Sequence, residues 1–214
     1  MFATWVAVTL ALSGCAEAPT SEIEATQKSV EAAQVAGSVE YLPDEDKAVS
    51  DKLNAAMQEI KAQEEKMAPF RNYEQAQQML AEARQQAETL QASSVQKKEE
   101  AKQQAAALQS EAGLSVQRAS ELLSQAPAGK GSEADLAALR ADVDALNESL
   151  PAVQEAIDKS DYRDAISKAT PIKEKADSIS AEVEQAIQKV QAAEAEKAAA
   201  EAEKAKSKAG KKKK

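Results

Sequence analysis

The sequence predicts an all-α protein built as elongated antiparallel helical hairpins, and three observations carry that prediction. Only 3% of the 214 residues are aromatic, and glycine and proline number six each, so strand-favouring residues and helix breakers are both scarce. Alanine, glutamate, lysine, glutamine and leucine, which dominate the chain, are the strongest helix formers. Apolar residues recur at alternating spacings of three and four, the heptad pattern of coiled-coil-like seams. Many seam positions are alanine, each contributing less than the ~1.5 to 3 kcal/mol of a buried leucine or valine. Length rather than depth therefore has to supply the burial.

Local signals place each element in turn. Ser21-Glu22-Ile23-Glu24 has the spacing of a capping box, so the first helix is expected from Ser21 to Gly37. Pro43 with Asp44, Glu45 and Asp46 opens the second, because a missing amide is harmless there and negative charge suits the helix dipole. It is expected to run to about Met67 on a seam of Val49, Leu53, Ala56, Ile60 and Met67, with Gln63 in one slot. After Ala68-Pro69-Phe70-Arg71 the chain restarts at Asn72-Tyr73 and meets no proline before Pro127, which allows a helix of ~52 residues and ~78 Å. Its early seam is Tyr73, Ala76, Leu80, Ala83, Ala87 and Leu90. Beyond Ser93-Ser94 that repeat degrades before Leu108, and Gly113 loosens it further, so a break would fall at one of these places.

A second capping signature, Ser132-Glu133-Ala134-Asp135, precedes the seam Leu136, Leu139, Val143, Leu146, Leu150, Val153 and Ile157. Following Ser160-Asp161, the last helix carries Tyr162, Ala165, Ala169, Ile172, Ala176, Ile179, Val183, Ala186 and Val190. Pro151 and Pro171 interrupt these two seams and are expected to kink or restart their helices, with Ser149 and Thr170 as caps. The segments form two pseudo-repeats. Val49, Leu53, Ala56, Ile60 and Met67 map onto Leu139, Val143, Leu146, Leu150 and Ile157 at an offset of 90, and the Tyr73 seam maps onto the Tyr162 seam at 89. Asn72 and Asp161 are the expected caps of the two returning helices, beside the paired tyrosines. The shared Asn/Asp-Tyr-x-x-Ala resembles the start of second helices in tetratricopeptide repeats, a local likeness only.

Residues 1 to 12 are uncharged and too short for a membrane-spanning helix of about 20 residues, but suit the apolar region of an export signal. Leu12-Ser13-Gly14-Cys15 follows directly and resembles the lipobox of bacterial lipoprotein precursors. That resemblance implies a diacylglycerol thioether on Cys15, cleavage between Gly14 and Cys15, and fatty acylation, such as palmitate, of the new amine. No lysine or arginine precedes the apolar stretch, so either the free amino terminus suffices or the true start lies upstream. Two or more acyl chains would make attachment stable where one is marginal. Ala16 stands where aspartate marks inner-membrane retention in the enteric members of that family, which implies the outer membrane, facing the periplasm. The lipobox with two alanine-rich hairpins resembles, over nearly the full chain, small helical envelope lipoproteins whose domain has no assigned activity. The expected organisation is a signal peptide over 1–14, a lipidated linker over 15–20, a first hairpin with the long helix over 21–125, and a linker over 126–131. A second hairpin over 132–195 and a lysine-rich tail over 196–214 complete it.

Histidine is absent and cysteine occurs once, so no internal disulfide and none of the usual zinc, haem or iron–sulfur ligand sets can be assembled. No metal and no cofactor beyond the covalent lipid is expected. Nucleophilic or general acid–base catalysis needs an activated nucleophile beside a base, or a dry pocket, and neither is visible, so no catalytic residue and no enzyme is expected. Gly129-Lys130-Gly131-Ser132 lacks the glycine spacing and preceding strand of a phosphate loop and reads as a linker. Charge is more telling. Residues 196 to 214 hold eight lysines and three glutamates, net +5 in a chain of −9, which leaves −14 on residues 16 to 195. Lys211, Lys212, Lys213 and Lys214 are the candidate contacts to an anionic surface or cell wall, at ~1 kcal/mol per lysine near anionic lipid. The alternative is a solvated end that keeps the chain soluble.

The expected function is a lipid-anchored, non-catalytic helical spacer or scaffold of the bacterial cell envelope. The alternative is a helical binding module for an envelope protein, its seam near Tyr73 and Tyr162 shared with a partner helix. Export makes nucleic acid an unsuitable partner, and heptads of this kind also allow a homodimer or trimer.

Overall fold

The computed structural model describes residues 17–126 and 133–211, with side chains described for 17–126 and 135–202. Among the described residues every regular element is helical: α1 (Thr20–Val35), α2 (Ser38–Tyr41), α3 (Pro43–Glu64), a 3-10 turn (Ala68–Phe70), α4 (Glu74–Gln125), α5 (Glu133–Asp158) and α6 (Tyr162–Lys211). The all-α class is thus shown. Two compact units divide at Lys98 and Glu99, inside α4. The division expected from the sequence is the 126–131 linker, most of which lies outside the described residues.

In the unit up to Lys98, α1 packs on α2 and α3. Val30 and Ala33 of α1, Val49 of α3, and Ala87 and Leu90 of α4 make one core cluster. Ala56 and Ile60 of α3 with Tyr73, Ala76 and Leu80 make a second, covered by Ala18 and Ile23. Three helices therefore close this core where the heptads alone suggested two, because Thr26, Val30 and Ala33 form a buried stripe on α1. The Thr26 hydroxyl lies 2.7 Å from the Glu22 carbonyl and 3.3 Å from that of Leu80, which ties α1 to α4. Helix α1 starts one residue before Ser21, and Ser21 donates to the Glu22 carboxylate at 2.7 Å instead of capping. Gly37 takes φ +102°, the left-handed turn that ends α1 and lets α2 begin.

Helix α3 opens on Pro43 with Asp44, Glu45 and Asp46 in its first turn, as the sequence requires. It stops at Glu64, short of Met67, which is extended at ψ 139° and 72% exposed. Pro69 explains this, since proline disfavours helical backbone just before it and helices usually end upstream. The Arg71 guanidinium satisfies the freed carbonyls of Lys66 and Glu64 at 3.0 and 2.9 Å. The polar seam residue Gln63, 7% exposed, accepts from the Asn72 amide at 3.0 Å and from Lys66 Nζ at 3.0 Å, so it holds the turn. Asn72 Oδ1 accepts from the Glu74 amide at 2.8 Å and starts α4.

Helix α4 is unbroken over 52 residues and runs through both Ser93-Ser94 and Gly113. Ser94 is buried and donates to the Leu90 carbonyl at 2.7 Å, so the polar seam position is satisfied within the helix. Past Glu99 the helix carries its own buried stripe of Ala101, Ala105, Ala112, Val116, Ala119 and Leu123. In that unit α5 packs along α6. Gln109 of α4 reaches Gln154 of α5 at 2.5 Å, and Arg140 Nη2 of α5 donates to the Leu123 carbonyl at 3.4 Å. Ser115 and Arg118 reach Asp177 and Glu184 of α6, each at 2.7 Å. Three helices again share one core.

The repeat is correspondingly larger than the hairpins suggested. Thr26, Val30 and Ala33 of α1 map onto Ala112, Val116 and Ala119 of α4 at an offset of 86, and all six are buried. Each unit thus has a first, second and third helix of one plan.

Helix α5 ends in a Schellman turn: Ser160 sits at φ 61°, its amide bonds Ile157 O at 2.8 Å, and the Asp161 amide bonds Ala156 O at 2.9 Å. Asp161 Oδ1 then accepts from the Asp164 amide at 3.1 Å to start α6. Neither proline restarts its helix; α5 and α6 continue through Pro151 and Pro171. Ser149 and Thr170 do not cap there but bond back to Ala145 O and Ile166 O, each at 2.8 Å. The α6 seam is buried only to Val183, with Ala186 and Val190 exposed. Beyond Ile187 every described side chain of α6, from 188 to 202, is exposed.

Candidate functional site

The residues singled out for anchoring, Gly14 and Cys15, lie outside the described residues, as do Lys212, Lys213 and Lys214. Lys211 is the last residue of α6, where the structure describes the backbone alone. What the structure does place is the first described segment after Cys15. Ala18 packs against the cluster holding Ile60 and Tyr73, and Pro19 is buried. The chain therefore enters the first unit beside the α3–α4 turn.

That turn exposes two large apolar side chains, Met67 at 72% and Phe70 at 68%. Sequence reasoning missed this by counting Met67 as a seam residue. The signal was Pro69, since helices usually end at or before the residue preceding a proline. At the other end of α1, Val35 and Val39 are also exposed.

The first unit carries a groove of about 770 Å³ between α3 and α4, lined by Leu42, Val49 and Leu90 together with Glu45, Glu82 and Gln86. Lys52 spans the hairpin to Glu82 at 3.1 Å. That hydrogen bond, with help from Gln78, holds the Glu82 carboxyl below its ordinary pKa. In the second unit Asp177 accepts from Lys173 Nζ at 2.9 Å and from Ser115 at 2.7 Å, and its pKa is lowered, first by Lys173 and then by Ser115. Arg118 beside it pairs with Glu184, which raises the guanidinium pKa. Glu22 and Glu155 are lowered as well, by Ser21 and by Lys159 respectively. For Glu82, Asp177, Glu22 and Glu155 the shift is toward the charged form, and its largest cause is in each case the hydrogen-bond partner named.

The buried tyrosines occupy core positions. Tyr73 is 4% and Tyr162 8% exposed, so each ring is covered within its own unit. Among the described residues no group of three or more acidic or cysteine side chains is placed to hold a metal ion, and no helix is long and apolar enough to cross a membrane. Protein-family models, curated proteins and solved structures were each compared with the chain, and none matches.

Proposed function

We propose that the chain is the precursor of a bacterial lipoprotein, cut before Cys15 and held by lipid on that residue, whose helical units serve as a non-catalytic spacer or scaffold of the cell envelope. The observation that carries this is the placement of the single cysteine. It closes the lipobox-like Leu12-Ser13-Gly14-Cys15 at the end of the only signal-like apolar stretch, and α1 begins five residues later at Thr20. The outer membrane, facing the periplasm, is the address that Ala16 favours. The lysine-rich end, including Lys211 to Lys214, is the contact proposed for an anionic surface or cell wall.

A binding module is the second reading, favoured by the α3–α4 groove, whose apolar floor suits one face of an amphipathic helix. Two measurements test the pair. Labelled fatty acid should enter the wild-type protein and not Cys15→Ser; equal labelling would remove the lipoprotein reading. Circular dichroism and sedimentation of the lipid-free chain separate the rest. Full helicity in a lone monomer supports the spacer, whereas helicity gained only with an envelope partner supports the module.

A further inference from the structure

Phe70 is the only phenylalanine after Cys15, and the other aromatic residues beyond that point are Tyr41, Tyr73 and Tyr162. Tyr73 and Tyr162 are buried and Tyr41 is half-buried, whereas Phe70, the one purely apolar ring among them, is 68% exposed beside a 72% exposed Met67. The turn through Pro69 sets these two side chains outside the unit, and neither of the two core clusters described above takes them in. The ring and the thioether, three residues apart on one turn, offer an apolar surface outside a thin alanine core.

Position tells which surface. In sequence a single residue, Ala16, separates Cys15 from Glu17, the first described residue. Ala18 is packed on the cluster that contains Tyr73, three residues beyond Phe70. The chain thus leaves the first unit toward Cys15 at the same end that presents Met67 and Phe70. The charges around the turn are nearly balanced: Lys61, Lys66 and Arg71 stand among Glu17, Glu64, Glu65 and Glu74. Arg71 and Lys66 are also engaged in holding the turn itself. Attraction to anionic headgroups therefore cannot be what seats this end, and an apolar contact can.

We propose that the Met67–Phe70 turn is a second, non-covalent membrane contact, dipping its two side chains into the lipid surface beside the acyl anchor. This rests on the reading of Cys15 as the lipidated residue. A bilayer held within reach by the anchor meets this turn first, and the contact fixes which end of the unit faces the membrane. It is apolar, so it is insensitive to salt and to the proportion of anionic lipid, unlike any contact made by the lysine-rich tail.

The test uses a chain of residues 15–214, which keeps every described residue, has Cys15 as its only thiol and lacks Trp5, the only tryptophan. Its thiol is coupled to maleimide lipid in phosphatidylcholine vesicles, so the tether does not depend on biological lipidation. Phe70→Trp should show blue-shifted emission and at least twofold quenching by lipid brominated near the headgroup end of its acyl chains, unchanged in 1 M salt. Val35→Trp, 80% exposed at the far end of α1, should show neither. Adding Met67→Ser to the Phe70→Trp protein should cut the quenching by about half. A Phe70→Trp emission no different from Val35→Trp on tethered vesicles overturns the proposal, and so does a blue shift already present without vesicles, which would mean contact between protein copies. Fatty-acid labelling at Cys15 is scored separately. Quenching with no labelling removes the lipoprotein reading alone, and labelling with no quenching removes the membrane turn alone.

Discussion

Gly37 and Gly113 show how one residue type meets opposite demands. At Gly37 the backbone is left-handed at φ +102°, and an added Cβ would stand 3.0 Å from the Tyr41 ring. Gly37→Ala should destabilise the first unit by about 1 to 2 kcal/mol, the cost of that backbone region for an L-residue, read from chemical denaturation. Gly113 lies inside α4, where an added methyl group would meet nothing within 4 Å, so only the entropic cost of glycine remains. Gly113→Ala should stabilise by up to about 1 kcal/mol in the same measurement. No change there would show that α4 is not helical at Gly113 in solution. Both glycines were visible in the sequence, but only backbone angles and neighbours assign their opposite signs.

At the scale of the element, the two internal prolines are the clearest departure from a plain heptad reading. Each removes an amide, which leaves the Asn147 and Ser167 carbonyls without their helical donors, yet α5 and α6 pass through. Packing of α5 along α6 outweighs a local cost of about 3 kcal/mol per proline. Pro151 and Pro171 are both exposed, so alanine at either loses no core contact. Pro151→Ala and Pro171→Ala should each raise stability by about 1 to 3 kcal/mol, seen as a higher melting temperature of the second unit. The ion network between α4 and α6 predicts a pH effect. Asp177 is held below its ordinary 3.8 in the folded chain, so the stability it lends is complete above that value and is lost as pH falls through the lower folded one. The difference in stability between wild type and Asp177→Asn should therefore be steady from pH 7 to about 5 and shrink below about 4. A difference that persists at pH 2 would assign it to something other than the carboxylate. The group is solvent-exposed, so the effect will be small and weaker in salt.

At the scale of the whole molecule, charge is distributed in a way the fold does not require. Residues 196 to 214 carry +5 against −14 on 16 to 195, and α6 runs into this segment beyond the last buried seam residue, Val183. Deleting residues 205 to 214 should weaken binding of the chain to anionic vesicles or isolated cell wall, with a loss that vanishes in high salt. Unchanged binding would leave the tail as a solubilising end only.

The sequence by itself determined the helical class, the starts of α3, α4 and α6 and the alanine seams, because helix propensity, capping chemistry and heptad spacing act over a few residues. It also carried Leu12-Ser13-Gly14-Cys15, a short motif whose reading does not depend on the fold. Only the tertiary structure decided that each seam is shared by three helices. A heptad states that a face is apolar and is silent on how many neighbours cover it. Thr26, Val30 and Ala33 look like a weak stripe until α3 and α4 are beside them, and the second half of α4 looks degraded although Ala112, Val116 and Ala119 are buried there. Tertiary context likewise carried the helices through Pro151 and Pro171, where packing summed over many residues exceeds a penalty confined to one turn. It also turned Met67 and Phe70 outward, since α3 ends at Glu64 and the turn through Pro69 fixes where those side chains emerge, and the packing of Ala18 on the Tyr73 cluster brings the chain's entry to that end.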